Sequence, residues 1–417
     1  MTARGLFPLL AISLAATLAC GRATPFPTAT LEDSTATRAV ESAPVPSDYQ
    51  PIYESLSEAL AVWEARLADM EPVAGNTVFG AELPVANGNR GAALLQPATM
   101  DGVRVYLDRL QELGVGGVSV AISDPLLWPD YPEADAYAAF FADVADEVRA
   151  RDMKLLGETG PAFSGTAFSS ITFNWESVTL EEYWENRRAQ LVRIAREVRP
   201  DYLSIGSEPG TEMMLTGFSF SVDEHLAFVR EASEAVGQTA GVLVGSGSGT
   251  WENPEYARRL ANEPSLDFIG LHIYPLSNGI HDYLQRAADA AEVARAAGKR
   301  IVLGETWLYK ATPEELRRGM DYSEIYARDA YRFWEPLDVR YVRLIAGLSR
   351  AWGIEYASFF WSGFFFDYLD YDESLPRLGL PALLQRLNRE QADSIAAGSW
   401  SGTGRAYQEA IQVVRGE

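Results

Sequence analysis

The chain has 417 residues, of which 47% are hydrophobic and 22% are charged, the composition of a folded globular protein rather than a disordered or fibrous one. Its 58 acidic and 35 basic residues give a formal charge of −23, which repels phosphate backbones, so we expect no nucleic-acid partner. With only three histidines in the chain, a histidine-rich metal hydrolase is hard to build.

Residues 1–19 carry the pattern of an export signal. Arg4 supplies a positive charge, and residues 6–18 form an apolar stretch too short for a dedicated membrane span. Thr17-Leu18-Ala19 then precede Cys20, the single cysteine, in a pattern similar to a bacterial lipobox, which has leucine where Thr17 stands. We predict export and lipidation of Cys20, giving a lipoprotein that faces the periplasm or the cell exterior. An ordinary secretory signal is the alternative.

Residues 20–50 are rich in threonine, proline, serine and alanine. This composition opposes regular structure and predicts a flexible tether. Helical spacing of apolar residues begins at 53 and runs to 70. We find no internal repeat and predict a single domain over residues 51–417, which touches a membrane only through the lipid.

Apolar, strand-like runs alternate with amphipathic helical stretches through this domain. The predicted strands are 77–83, 117–123, 154–158, 202–207, 242–246, 268–273, 301–304 and 356–361. The predicted helices are 100–113, 134–152, 180–198, 222–236, 253–263, 281–297, 323–352 (one helix or two) and 380–415. Eight short buried strands in alternation with helices predict an α/β fold, the (β/α)8 TIM barrel.

In such a barrel, the residues that carry out chemistry lie at the C-terminal ends of the strands. Carboxylates and aromatic residues gather at these ends, and nothing comparable gathers at the strand starts. The candidates are Glu82, Asp124, Glu158, Ser207, Glu208, His272, Tyr274, Glu305, Trp307 and Trp361.

Two of these candidates, Glu208 and Glu305, follow the fourth and seventh strands, which lie across the barrel from each other. Their carboxyls can therefore face each other over a central cleft. Hydrolysis of a glycosidic bond needs such a pair: one carboxylic acid protonates the leaving oxygen, and one carboxylate attacks the anomeric carbon. A spacing of about 5–5.5 Å gives retention of configuration. For either glutamate alone, a structural role at the start of a helix is the alternative.

Three segments carry a resemblance to a known group of enzymes. Gly206-Ser207-Glu208-Pro209, Gly270-Leu271-His272-Ile273-Tyr274-Pro275 and Gly304-Glu305-Thr306-Trp307 resemble the acid/base, strand-six and nucleophile segments of clan A glycoside hydrolases, the 4/7 superfamily. Families 113, 53 and 5 are the most similar. The resemblance implies a retaining β-glycosidase, in particular an endo-β-glycanase such as a mannanase or galactanase. It also implies a neutral β-linked carbohydrate as substrate and no metal or organic cofactor.

The resemblance also implies roles for single residues. Glu208 would be the acid/base, Glu305 the nucleophile, and Tyr274 the residue that orients the nucleophile. Ser207 stands where most of the clan has an asparagine, and would contact the sugar 2-hydroxyl. This departure leaves the family and the substrate open.

The remaining strand-end residues are candidates for contact with the sugar. Trp307 and Trp361 could stack against sugar rings. His272, Glu158 and Asp124 could accept or donate hydrogen bonds to hydroxyl groups. For each of them a structural role, as a core aromatic, a satisfied barrel histidine or a helix cap, is the alternative.

Two further functions remain open on sequence alone. The first is a non-catalytic surface lipoprotein that binds glycans on a barrel scaffold, which the serine at position 207 favours. The second is a metal-dependent barrel hydrolase with ligands from Glu82, Asp124, Glu158 and His272.

Overall fold

The computed structural model describes residues 44–415 with the exception of 74, 238, 240, 277, 278 and 319–321. The predicted export signal, Cys20 and the tether as far as residue 43 lie outside the described residues. In the described part of the chain, none of the helices has the length together with the apolar character that crossing a bilayer requires.

Eight parallel strands close into a barrel in which each strand pairs with the next in sequence and the last returns to the first. They are β1 (Val78–Glu82), β2 (Gly117–Asp124), β3 (Lys154–Pro161), β4 (Tyr202–Ser204), β5 (Leu243–Gly249), β6 (Phe268–Ile273), β7 (Arg300–Thr306) and β8 (Tyr356–Phe359). The predicted (β/α)8 barrel is confirmed, and every predicted strand overlaps an observed one. The largest differences are at β3 and β5, which extend to Pro161 and Gly249, and at β4, which ends at Ser204 rather than at residue 207.

The helices surround the barrel. They are α1 (Gln50–Ala68), α2 (Pro97–Glu112), α3 (Ala134–Arg149), α4 (Leu180–Arg193), α5 (Pro209–Thr216), α6 (Val222–Val236), α7 (Glu255–Ala261), α8 (Ile280–Ala296), α9 (Pro313–Arg317), α10 (Tyr322–Asp329), α11 (Glu335–Trp352), α12 (Leu380–Ala397) and α13 (Gly402–Arg415). The predicted stretch 323–352 contains α10 and α11, and 380–415 contains α12 and α13. The short α5 and α9, of eight and five residues, give no periodic signal and were not predicted.

The helices α4 and α6, which flank α5, begin at capping boxes. The hydroxyl of Thr179 accepts the N–H of Glu182, whose carboxylate accepts the N–H of Thr179. Ser221 and Glu224 make the same reciprocal pair at α6. Each box satisfies two N–H groups that a first helical turn leaves free. Local sequence therefore sets where these two helices start.

The interior of the barrel changes from apolar to polar along the strands. Near the strand starts, one buried cluster contains Leu156, Tyr202, Phe268, Val302 and Tyr356. Side chains two residues apart lie on the same face of a strand. The corresponding positions two residues further along are Glu158, Ser204, Gly270, Gly304 and Ser358. The polar groups are thereby concentrated at the C-terminal end of the barrel.

A register shift between β6 and β7 determines which residues meet at this end. Leu271 pairs with Leu303, but His272 pairs with Glu305, so Gly304 is one extra residue on β7. Such a bulge changes the direction of the strand locally. As a result, Glu305 lies directly opposite His272.

Candidate active site

One cluster of ionisable side chains lies inside the C-terminal end of the barrel, with His272 at its centre. Its Nδ1 is 2.7 Å from Glu208 Oε1 and 3.6 Å from Glu305 Oε2. Its Nε2 is 3.1 Å from Glu158 Oε1. Strands β3, β6 and β7 and the segment after β4 thus contribute one group each to a single cluster, and all four side chains line one cavity.

The protonation of His272 depends on its burial and on these three carboxyls. Burial disfavours the imidazolium, but the negative charges of Glu305 and Glu158 and the hydrogen bonds with Glu158 and Glu208 outweigh it, so the pKa of His272 is raised well above its usual range. These neighbours therefore favour the positively charged form of the histidine. Both ring nitrogens then donate, one to Glu158 and one to Glu208.

Glu305 is held by a second hydrogen bond, from Tyr274. The tyrosine is fully buried and its hydroxyl donates to Glu305 Oε2 at 2.7 Å. Burial raises the pKa of Glu305 well above its usual range; the charges of Glu158 and Glu208 raise it further, while the charge of His272 and the Tyr274 hydrogen bond lower it. His272 in β6 and Tyr274 just after it thus converge on the same carboxyl.

Glu208 lies where the chain leaves β4 and enters α5. It immediately precedes Pro209, the first residue of α5. Its carbonyl accepts the N–H of Glu212 at 2.9 Å. The preceding residue, Ser207, is buried, and its hydroxyl lies 2.9 Å from that of Ser204 on β4. Ser207 lines the same cavity as Glu208 and Glu305.

Gly304 is required by the close approach of Glu158 to His272. A Cβ at this position would overlap the Glu158 carboxylate and would lie 3.0 Å from His272 Nε2. Any larger residue must therefore displace the pair. The glycine of the Gly304-Glu305 segment has a packing reason that is specific to this cluster.

Asp124, predicted to contact the sugar, has a different role. It is 1% exposed, pairs with Arg187 at 3.1 Å, and accepts a hydrogen bond from the Trp128 indole at 3.2 Å. Burial raises the pKa of Asp124 to about 7, against the lowering effect of the Arg187 charge and the Trp128 hydrogen bond. Asp124 belongs to a buried ion pair behind the cavity, because Arg187 and Trp128 occupy its carboxylate.

Trp307, predicted as a stacking platform, is a core residue. It is fully buried, its ring stacks on Phe364 with centroids 5.6 Å apart, and Lys310 Nζ lies 5.3 Å from the ring centroid. A ring enclosed in this way offers no face to a sugar. Trp361 is 4% exposed and its backbone N–H donates to Glu82, so its contact with a sugar stays a prediction.

The ligand set of the predicted metal alternative is not brought together. Glu82 accepts hydrogen bonds from Asn87 and from the backbone of Trp361, and Asp124 pairs with Arg187. Among the described residues, one other set offers three ligand atoms within 4.8 Å of one another: Glu158, His272 and Glu305. One imidazole nitrogen and two carboxylates suit a borderline divalent ion such as zinc. Here Glu158 is hydrogen-bonded to His272, and Glu305 accepts a hydrogen bond from Tyr274.

Several residues around the cavity were not predicted. Asn89 lies in the loop after β1, and Glu212 lies on α5 one turn beyond Glu208; both are buried and line the cavity. Glu252, in the loop after β5, accepts the N–H of Gly210 at 2.6 Å. Glu212 had a usable signal in its four-residue spacing from Glu208, which puts both on one helix face.

The comparisons with known proteins extend to the fold. No protein-family model and no curated protein sequence matches the chain. An exo-β-1,4-mannosidase from Opitutaceae bacterium strain TAV5 is 17% identical, with a TM-score of 0.50; the match covers 82% of this chain and 60% of that one. A GH5_18 protein from Bifidobacterium longum subsp. longum, solved with Manβ1-4GlcNAc, is 16% identical, with a TM-score of 0.50 and coverage of 82% and 79%.

These proteins share the barrel architecture of this chain. At these identities the similarity extends to the (β/α)8 fold. The chain spans 60% of the length of the Opitutaceae enzyme.

Proposed function

We propose that the protein is a retaining glycoside hydrolase that cleaves β-linked carbohydrates with Glu208 as acid/base and Glu305 as nucleophile. The observation that carries the proposal is the convergence of these two carboxyls, from the ends of β4 and β7, on one nitrogen of His272. Barrel enzymes place their reacting groups at the C-terminal ends of the strands.

The spacing of the two carboxyls supports retention. Glu208 Oε1 and Glu305 Oε2 lie 2.7 Å and 3.6 Å from the same nitrogen, so these two oxygens cannot be farther apart than the sum of the two distances. That limit is below the ~6.5 Å at which the carboxyl spacing of inverting enzymes begins. This limit favours the shorter carboxyl spacing of retaining enzymes, in which the second carboxylate attacks the anomeric carbon directly.

The reaction proceeds in two steps. First, a Glu305 oxygen bonds to the anomeric carbon while the glycosidic bond breaks and the proton of Glu208 passes to the leaving oxygen. Second, Glu208, now ionised, takes a proton from a water molecule whose oxygen attacks the anomeric carbon and releases Glu305. The free sugar keeps its β configuration because the carbon is inverted twice.

The charges around the pair suit this division of roles. Tyr274 and the His272 cation favour the ionised form of Glu305, which is the form that attacks. Covalent capture of the sugar removes the charge of Glu305, and the acid can then act as a base.

The substrate we infer is a neutral β-linked glycan. β-Mannosides are the first choice because one protein of similar fold is an exo-β-1,4-mannosidase and another was solved with Manβ1-4GlcNAc. Ser207 would contact the 2-hydroxyl from its place beside Glu208. Endo-cleavage of a mannan or galactan, and anchoring of the exported enzyme through lipidated Cys20, complete the proposal. The apolar stretch and cysteine near the N-terminus support the anchor.

The test is turnover on soluble mannan, galactan, glucan and xylan and on the matching aryl β-glycosides, with the wild-type protein beside Glu305→Gln. We expect one sugar to be hydrolysed, with no loss of activity in EDTA, and at least ~10⁴-fold less turnover in the variant. Near-normal activity of Glu305→Gln overturns the assignment. Chelator-sensitive activity favours a metal-dependent hydrolase. Binding without turnover by the folded protein favours the glycan-binding lipoprotein.

A further inference from the structure

The segment that carries Glu208 extends past the paired residues of β4, and its last backbone bonds to β5 are made by Ile205 and Gly206. The β4 ladder ends at Ser204, four positions before Glu208. Between them the backbone leaves the strand, and its carbonyl groups need other donors. Other groups must therefore fix the position of Glu208, because an acid catalyst has to be placed to a fraction of an ångström.

Side chains and one backbone N–H from neighbouring elements donate hydrogen bonds to these carbonyls. The Gly206 carbonyl accepts the hydroxyl of Ser246 at 2.8 Å and the N–H of Gly247 at 3.0 Å, both from β5. The Ile205 carbonyl accepts Arg187 Nη2 at 2.5 Å and the hydroxyl of Thr159 at 3.1 Å. Arg187 is the one charged donor in this set, and it comes from α4, outside the barrel wall.

Arg187 is fixed on three sides. It is 1% exposed; its Nη1 donates to Glu212 on α5 at 2.6 Å, and its Nε pairs with Asp124 at the end of β2 at 3.1 Å. The planar guanidinium directs its donors in fixed directions, which a lysine ammonium cannot reproduce. One side chain thus ties together the end of β2, the backbone after β4, and α5.

This arrangement acts on both flanks of Glu208. On the N-terminal side, the guanidinium lies against the Ile205 carbonyl and close to Gly206, where a Cβ would be 3.2 Å from Nη2. On the C-terminal side, Glu212 belongs to the first turn of α5, and its N–H donates to the Glu208 carbonyl. Displacement of Arg187 would free the backbone before Glu208 and the helix after it.

We propose that Arg187 is a positioning residue for Glu208, acting through the Ile205 carbonyl and Glu212 without touching substrate. The proposal rests on the assignment of Glu208 as the acid/base. Glu305 is fixed independently by β7, Tyr274 and His272. Loss of Arg187 therefore impairs protonation of the leaving group while nucleophilic attack persists.

A leaving-group comparison separates these two effects. Phenolate leaves only with a proton, whereas 2,4-dinitrophenolate leaves without one. We compare kcat/KM for the phenyl and 2,4-dinitrophenyl β-glycosides of the sugar that wild type hydrolyses, starting with mannosides. For Arg187→Lys we expect a loss of ~30-fold or more on the phenyl glycoside and less than ~3-fold on the dinitrophenyl glycoside. A merely structural role would lower both equally.

Two reference variants calibrate the assay. Glu208→Gln should give the same selective pattern with a larger loss, since its proton is absent. Arg188→Lys, in the next position of α4, alters an exposed pair with Glu231 and should change neither rate. Circular dichroism and the thermal midpoint establish that each variant is folded.

Glu212→Gln tests the same idea if Arg187→Lys does not fold, because it removes one anchor and keeps the arginine. A smaller loss confined to the phenyl glycoside supports the proposal. Equal losses on both substrates, or none on either, overturn it. A Glu208→Gln variant without selectivity instead overturns the acid/base assignment, so the two failures are distinguishable.

Discussion

The two glutamates of the cavity are held in opposite ways. Glu305 lies within β7, where it pairs with His272 of β6. The next residue, Thr306, pairs with Ile273 of the same neighbouring strand. Glu208 lies beyond the end of β4, at the start of a helix of eight residues, where side chains fix the backbone. The first therefore lies within the paired part of the sheet. The second lies two residues past the last backbone bond to β5, at Gly206, and depends in addition on side chains from the surrounding elements.

The difference agrees with what each residue has to do. A nucleophile attacks one carbon along one line, and a strand inside a closed barrel is the most rigid support that the fold offers. An acid/base serves two oxygens in turn, the leaving oxygen and the attacking water. His272 bonds to Glu208 and lies beside Glu305, which links the two supports electrostatically.

The largest effects come from removing either carboxyl. We expect Glu305→Ala and Glu208→Ala each to lower kcat/KM on an unactivated β-glycoside by ~10⁴-fold or more. With a 2,4-dinitrophenyl β-glycoside, azide should rescue both variants but give opposite anomers. Azide replaces Glu305 and inverts the carbon once, giving the α-azide. In Glu208→Ala it attacks the glycosyl-enzyme, giving the β-azide.

Proton NMR of the azide products distinguishes the two anomers. Reversed anomers would exchange the roles of the two glutamates. The same anomer from both variants would contradict a covalent intermediate on Glu305. The thermal midpoint of each variant serves as the check on folding.

A smaller loss is expected from Gly304→Ala, which disturbs the cluster without removing a charge. The new Cβ overlaps Glu158 and crowds His272, so we expect ~10²-fold lower kcat/KM from displacement of about an ångström. The control is Gly157→Ala on β3, where a Cβ meets side-chain atoms at 3.5 Å or more and should be accommodated. Equal activity of both variants would show that the Glu158–His272 contact is dispensable.

Glu158 and Tyr274 should move the acid limb of the pH profile in opposite directions. Glu305 must be ionised to attack, so activity rises as pH passes its pKa. The Glu158 charge raises the pKa of Glu305 and the Tyr274 hydrogen bond lowers it. Glu158→Gln should therefore extend activity to lower pH, and Tyr274→Phe should confine activity to higher pH. Tyr274→Phe should also lower activity at the pH optimum about tenfold, because a hydrogen bond to Glu305 is lost.

The measurement is kcat/KM against pH on the 2,4-dinitrophenyl glycoside, for which protonation of the leaving group is not required. Shifts in the same direction would exclude Glu305 as the group behind the acid limb. An unshifted limb in Tyr274→Phe would mean that its hydroxyl does not act on the nucleophile.

Much of this arrangement could be predicted from local sequence. The positions of Glu208 and Glu305 after the fourth and seventh strands follow from hydrophobic runs that stop near a carboxylate, and the two-residue spacing of His272 and Tyr274 puts them on one face. Each of these features depends on few residues. It can therefore be predicted even where a strand boundary is predicted wrongly, as at the end of β4.

Other features depend on contacts that no local pattern encodes. Trp307 follows a catalytic strand, yet it faces Phe364 and Lys310, because the loop after β7 turns it into the core. Arg187 is one of several arginines on an amphipathic helix, and its burial follows from Asp124 and Glu212, 63 and 25 positions away in the sequence. Only the assembled fold distinguishes such residues from an aromatic platform or a surface charge.

The smallest effect concerns Ser207, which adjoins Glu208 and lines the cavity. If its hydroxyl contacts the sugar 2-hydroxyl, Ser207→Ala should lower kcat/KM about 3–10-fold on the normal glycoside, the worth of one hydrogen bond. On the 2-deoxy glycoside the same variant should change nothing, since the partner is already absent. Ser204→Ala, which removes the neighbouring hydroxyl 2.9 Å from that of Ser207, is the matched control. Equal losses on both sugars would instead mean that Ser207 supports the backbone before Glu208, as Arg187 does.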